Sequence, residues 1–322
     1  MITARGLART FSLPGNKRRF RSPARKVDAV RGVDLDVADG ELVGFLGPNG
    51  AGKTTTLRML ATLLRPTAGE ATVAGRDLRT DPAGVRRRIG YVGQGNSAGL
   101  DQRVREELVL QGRFHGLTPA VAARRADDLL DRFDLTETAH RVAATLSGGQ
   151  KRRLDLALGL VHQPALVFLD EPSTGLDPHS RAGLWEHVRE LRAEHGSTVF
   201  LTTHYLDEAD ALCDNLLVID AGRIVAKGSP EELKQRVSGD LVVLTASDPV
   251  KTAESAANLP GCTELSREAE EVRFRVPRGD TALPALLREL GAASIQVDSV
   301  RTHRPTLDDV FRTVTGRSLQ EV

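Results

Sequence analysis

One octapeptide constrains this chain more than anything else in it. Gly47-Pro-Asn-Gly-Ala-Gly-Lys-Thr54 fits the pattern G-x-x-x-x-G-K-[ST], and it follows directly on the apolar run 41–47 (ELVGFLG). A buried strand that turns through glycines into a helix aims several backbone N–H groups, and the positive end of the helix, at one point. That is a phosphate site. Gly47, Pro48, Asn49, Gly50, Ala51, Gly52, Lys53, Thr54 and the adjoining Thr55 are the candidate cradle, with Lys53 reaching the β- and γ-phosphates and Thr54 ligating Mg²⁺.

The rest of the chain suits a strand–loop–helix architecture. Apolar blocks recur at 165–170 (ALVFLD), 197–202 (STVFLT) and 215–220 (NLLVID), separated by helix-like stretches, as in strands covered on both faces. The class predicted is α/β. Residues 103–141 are rich in Ala, Leu, Arg and Asp at helical spacing and hold no comparable strand, which predicts an inserted helical subdomain within about 95–160. Beyond residue 237 the texture changes. Strands are predicted at 240–245, 262–265, 271–276 and 294–300, and helices at 249–259, 281–290 and 306–315. The order β-α-β-β-α-β-α fits a small ferredoxin-like α+β domain at 237–322, behind a first domain at 1–236.

Charge and composition narrow the partners. Forty-four Lys and Arg against forty-three Asp and Glu leave a net charge of +1, so no general field attracts nucleic acid, and no nucleic-acid partner is expected. Residues 12–26 are the local exception. They are dense in Lys and Arg, hold no acid and carry two prolines, and are predicted to be an exposed insertion, with a phosphate or anionic-lipid contact as the functional alternative. Cys213 and Cys262 have neither metal-site nor disulfide spacing and are expected to be small core residues in a reducing compartment. The longest stretch free of Asp, Glu, Lys and Arg runs 14 residues from Leu156 to Leu169. A spanning helix needs about 20 apolar residues, and the N-terminus has no apolar signal region, so a soluble, intracellular chain is expected.

Two further motifs add chemistry. Leu166 to Glu171 is an apolar strand ending in two carboxylates, Asp170 to hold a metal ion and Glu171 to activate water. Leu146-Ser-Gly-Gly-Gln150, 20 residues before Asp170, resembles the signature of the ATP-binding cassette (ABC) ATPases. The rest of that family's set follows in order: Gln94 after Ile89-Gly-Tyr-Val-Gly, Ser173-Thr-Gly-Leu-Asp177 after the acidic pair, and His204 in Leu201-Thr-Thr-His-Tyr. The resemblance covers about residues 3–235 and implies a P-loop NTPase cassette with an inserted helical subdomain. It assigns Glu171 as general base, His204 as γ-phosphate contact and Gln94 as a switch touching both Mg²⁺ and the water. It places Phe11 where the family has an adenine-stacking aromatic, with Phe20 as the alternative.

The same resemblance implies that Ser147, Gly149 and Gln150 cap the γ-phosphate of a second copy, giving a head-to-tail homodimer with two composite sites. It further implies ATP and Mg²⁺ as cofactors, a separate integral-membrane permease as partner, and a peripheral position on the cytoplasmic face of the cell membrane. Arg87-Arg-Ile-Gly-Tyr-Val-Gly-Gln94, Arg152-Arg-Leu-Asp-Leu-Ala157 and the tail Pro305-Thr-Leu-Asp-Asp-Val-Phe311 through Arg317 are similar to the daunorubicin-resistance type of ABC exporter ATPase, which points to drug or antibiotic efflux. By itself the tail reads equally as a capped amphipathic helix. Two other functions are weighed. An ABC ATPase acting on ribosomes or nucleic acid fits poorly with a single cassette and neutral charge, and a nucleotide-regulated binding module would need neither Glu171 nor His204. The remaining histidines are expected to be surface or packing residues, and at least two of Lys151, Arg152 and Arg153 to lie on a solvated helix face.

Overall fold

The computed structural model describes residues 1–13, 25–95, 99, 101–237 and 239–316. Phe20, Arg317 and residues 14–24 of the basic segment lie outside the described residues. The chain forms two compact units, Met1–Lys227 and a second beginning at Gly228.

The first unit is built on a six-stranded sheet in the order Arg223–Gly228, Asn215–Asp220, Leu42–Leu46, Thr198–Thr203, Leu166–Asp170, Ile89–Val92. The last five pair in parallel. Leu42–Leu46, Leu166–Asp170 and Thr198–Thr203 are buried at every residue, which is why each reads as an unbroken apolar run rather than an alternation. Phe45 and Phe168 both pack on Phe200, with ring centroids 5.6 and 5.9 Å apart. Register aligns Leu46 with Thr203 and Asp170 with Thr202, so the chain reversals that carry chemistry leave from one edge of the sheet.

A second sheet, antiparallel, has the order Arg25–Val37, Ile2–Leu13, Ala68–Val73, Arg76–Asp77. Its apolar residues Ile2, Leu7, Val33 and Leu35 share one core cluster with Phe45, Leu57, Leu60 and Ile219. The ends of the 12–26 segment belong to this sheet rather than to a loop: Ser12 pairs with Lys26 and Leu13 with Arg25. The ladder continues because backbone pairing is indifferent to the side-chain charge that suggested an insertion.

Helices Val104–Phe114 and Pro119–Arg132 form the helical insertion, the second opened by Thr118 as N-cap and Pro119 at N1. His115, at the end of the first, stacks on His162 with centroids 3.6 Å apart, and His162 Nε2 lies 2.9 Å from the Ile89 carbonyl oxygen. Burial, with His115 adding to it, lowers the His162 pKa to about 4. Because the folded value lies below the unfolded one near 6.5, the unfolded state binds the extra proton first as pH falls. The share of the stability linked to a neutral His162 is therefore whole above about pH 6.5 and is lost towards pH 4. His162→Gln, which keeps a donor for the Ile89 carbonyl, is expected to remove about 2 kcal/mol of that loss. Melting curves of both proteins from pH 7 to 4.5 check it, and parallel curves would contradict it. Glu208, raised by burial, has the opposite sign but is common to both proteins.

The second unit has the sheet order Thr263–Glu268, Glu271–Val276, Asp240–Ala246, Val297–His303, all neighbours antiparallel. With helices Pro249–Ala257 and Gly279–Ala292 between its strands, this is the ferredoxin-like topology. Val242, Leu244, Phe274, Leu286 and Leu290 form its core. The boundary differs from the expected 236/237. Helix Pro230–Val237 belongs to this second unit, where it packs against Leu307–Thr315, because Leu233 on one and Leu307, Val310 and Phe311 on the other are buried. Thr306 and Asp309 close that last helix with a capping box. Cys213 is buried, whereas Cys262 is only half-buried at the edge of its core.

Candidate active site

The glycine loop is shaped by close contacts. A Cβ on Gly47 would meet the Ile219 carbonyl oxygen at 2.2 Å, and Gly52 has φ 109°, where L side chains are strained. Gly52 opens helix Lys53–Leu60 and no side chain caps it, whereas the helices beginning at Pro82, Pro119, Gly148 and Pro178 are capped by Asp81, Thr118, Ser147 and Asp177. Its first N–H groups are left for an anion. Around them lies a cleft of about 260 Å³ lined by Ala29, Pro48, Asn49, Gly50, Gly52, Lys53, Thr54, Thr55, Gln94 and Glu171.

Lys53 is buried and donates to the carbonyls of Gly47 at 2.7 Å and Pro48 at 3.1 Å, while its Nζ lies 3.3 Å from Glu171 Oε1. Burial lowers its pKa, and the charges of Glu171 and Asp170 oppose that. Asp170 Oδ1 accepts from Thr54 at 2.9 Å and from Thr202 at 2.8 Å, and the Gln94 amide is 3.3 Å from Thr54 Oγ1. Thr54 and Asp170 thus bring oxygens to one small space, with the Gln94 side-chain amide against Thr54, a set of residues suited to Mg²⁺ when phosphates supply the remaining ligands.

Glu171 sits at φ 46°, unusual for a residue with a side chain. Its N–H donates to Thr202 Oγ1 at 3.0 Å, which holds the turn. The carboxylate is bracketed: Oε1 lies 3.3 Å from Lys53 and 3.5 Å from His204 Nδ1, and Oε2 accepts from Thr174 at 3.3 Å. An ammonium and an imidazole thus lie within 3.5 Å of one carboxylate oxygen, an arrangement that can position a water against a phosphate.

The signature residues lie elsewhere. Ser147 caps helix Gly148–Leu160 by a reciprocal box with Gln150, at 3.3 and 3.0 Å. Ser147, Gly149 and Gln150 line a separate cleft of about 450 Å³ together with Leu176, His179 and Ser180, and it shares no residue with the Lys53 cleft. Phe11 is also outside the Lys53 cleft. It pairs with Val27 in the antiparallel sheet and carries the Arg9 guanidinium 4.7 Å over its ring, a short way along the ladder from Ala29, which does line the cleft.

Three contributors escaped the sequence reading. Thr202 bonds both Asp170 and the Glu171 backbone, and its place two residues before His204 was the available signal. Tyr91 OH lies 3.4 Å from Asp170 Oδ2. Arg152 is buried while Lys151 and Arg153 stay partly exposed, which keeps a solvated face for two of the three and leaves the third a role that the sequence does not show.

Parallel sheet, glycine loop, acidic pair and helical insertion together make an ATP-binding cassette. The family described as ABC transporter matches residues 30–174, and the one described as ATP-binding protein DrrA1-3-like, C-terminal domain, matches residues 228–315, starting where the second unit starts. Daunorubicin resistance ATP-binding protein DrrA3 of Streptomyces coeruleorubidus is 45% identical over 89% of this chain and 91% of its own length. Nod factor export ATP-binding protein I of Burkholderia lata is 38% identical over 91% and 93%. Among solved structures, cbiO1 from Clostridium perfringens superposes with a TM-score of 0.62 at 26% identity, covering 72% of this chain and 89% of that one. The chain belongs to the ATP-binding proteins of ABC transporters, in their daunorubicin-resistance group, and is an ATPase.

Proposed function

We propose that two copies of this chain close head to tail around two ATP molecules and drive a separate integral-membrane permease that exports a drug, antibiotic or similar hydrophobic compound. One observation carries the dimer: the chain has one Lys53 cleft and one signature cleft, and they share no lining residue, so Ser147, Gly149 and Gln150 serve the ATP of another copy. The named activities of the relatives support the export half. Among the described residues no helix is long and apolar enough to cross a membrane, in keeping with a transport path in another chain and a peripheral place at the cytoplasmic face of the membrane.

In each composite site the Gly50–Gly52 backbone and Lys53 hold the phosphates, and Phe11 stacks on adenine. Thr54, Asp170 and Gln94 would hold Mg²⁺, which neutralises charge on the β- and γ-phosphates when bound. Glu171 accepts the proton of the attacking water, with Lys53 and His204 against its Oε1 fixing where that oxygen points. His204 contacts the γ-phosphate, and the partner copy's signature loop, at a helix N-terminus, closes over it. Closure sequesters the reaction and transmits force.

Affinity capture of the tagged chain from detergent-solubilised membranes tests the reading. An integral-membrane protein with about six spans should be recovered. Recovery of ribosomal proteins or nucleic acid in its place would overturn it.

A further inference from the structure

Arg152 stands in the second turn of helix Gly148–Leu160, two residues past Gln150, with its side chain 9% exposed. Its guanidinium donates in three directions: Nε to the Pro172 carbonyl at 2.6 Å, Nη1 to the Gly93 carbonyl at 2.6 Å, and Nη2 to the Asp170 carbonyl at 3.4 Å. Asp155 Oδ2 lies 3.9 Å away on the same helix. A buried charge is costly unless its hydrogen bonds are met, and here they are met by main chain from two separate segments.

Those carbonyls are not arbitrary. Gly93 immediately precedes Gln94, and Asp170 and Pro172 flank Glu171, whose backbone sits at φ 46°. One planar fork therefore grips the Gly93–Gln94 peptide, the Asp170–Glu171 peptide that leads into the general base, and the Pro172–Ser173 peptide one residue beyond it. Its own backbone belongs to the helix that begins with the signature loop. A lysine, with a single compact ammonium, cannot span both segments in this way.

We propose that Arg152 is a positioning residue that makes Gln94, Glu171 and the signature loop one mechanical unit, so that nucleotide at a chain's own site sets the loop that caps the partner copy's ATP. The proposal rests on the composite-site dimer above. Displacement of Gln94 towards bound nucleotide is passed through the Gly93 carbonyl to Arg152 and so to the helix whose cap is Ser147. ATP binding within one chain needs none of this, because Arg152 is not among the residues lining the Lys53 cleft.

Arg152→Lys, which keeps charge and aliphatic stem, and Arg152→Gln test it in the full-length chain. MgATP affinity and KM should stay within about twofold, kcat should fall about tenfold or more, and the Hill coefficient for ATP should drop towards 1. With Glu171→Gln added to suppress turnover, ATP-driven dimerisation measured by light scattering should weaken at least about tenfold relative to Glu171→Gln alone. If Arg152→Lys turns over with the parent kcat and Hill coefficient, or if both variants lower only the melting temperature, Arg152 is a structural residue and the proposal is overturned. If Glu171→Gln with Arg152 intact stays monomeric, the composite-site dimer fails, and the proposal with it.

Discussion

Glu171→Gln should lower kcat by about 10³-fold while leaving MgATP affinity within a few-fold of the parent. The amide keeps the volume of the carboxylate and can still accept from Thr174 through its remaining oxygen, so the turn at φ 46° is not disturbed. What it lacks is a basic oxygen where Lys53 and His204 now converge, 3.3 and 3.5 Å from Oε1. A positioned general base contributes on the order of 10²–10⁴ in rate, and here no other carboxylate takes its place, because Asp170 is engaged with Thr54 and Thr202. Steady-state phosphate release together with equilibrium nucleotide binding separates the two effects. A variant within tenfold of the parent kcat would remove Glu171 from the role.

Lys53→Ala should abolish useful nucleotide binding, at a loss of about 100-fold or more in affinity, close to 3 kcal/mol. The ammonium is held inside the loop by the Gly47 and Pro48 carbonyls in a buried setting, where burial already lowers its pKa, so a phosphate reaching it meets a preplaced, poorly hydrated charge. The helix from Lys53 to Leu60 should survive, since Leu57 and Leu60 anchor it in the core. Thermal unfolding across an ATP titration is the check. The parent melting temperature rises with ligand concentration and that of the variant stays flat, whereas an equal rise in both would show that the phosphates bind elsewhere.

Much of the cassette was legible because its main-sheet strands are buried on both faces. Such strands show as runs like ALVFLD and STVFLT that depend little on tertiary detail. The antiparallel sheet was not legible: Ile2–Leu13 mixes exposed Thr3, Arg5 and Gly6 with buried Ala4 and Leu7, and register shifts after Ala4 and Leu7 break its alternation. The unit boundary lies nine residues before the expected one because half of Pro230–Val237 is charged, Leu233 is its single aliphatic residue before Val237, and its packing partner comes some 75 residues later in Leu307–Thr315. At the site, the residues of local motifs could be named in advance, and Lys53, Thr54, Gln94, Asp170 and Glu171 do come together. Arg152 could not. Within Lys151-Arg-Arg153 a helical wheel alone does not reveal that the middle cation faces three carbonyls brought in from Gly93, Asp170 and Pro172. That information exists only once the strands and the signature helix have docked.

The mass of the Glu171→Gln chain in solution tests the composite site most directly. With MgATP, multi-angle light scattering should give twice the monomer mass, and the monomer mass when nucleotide is omitted or when Lys53→Ala is added. A Glu171→Gln chain that binds MgATP and yet remains a monomer at every concentration tested would contradict it.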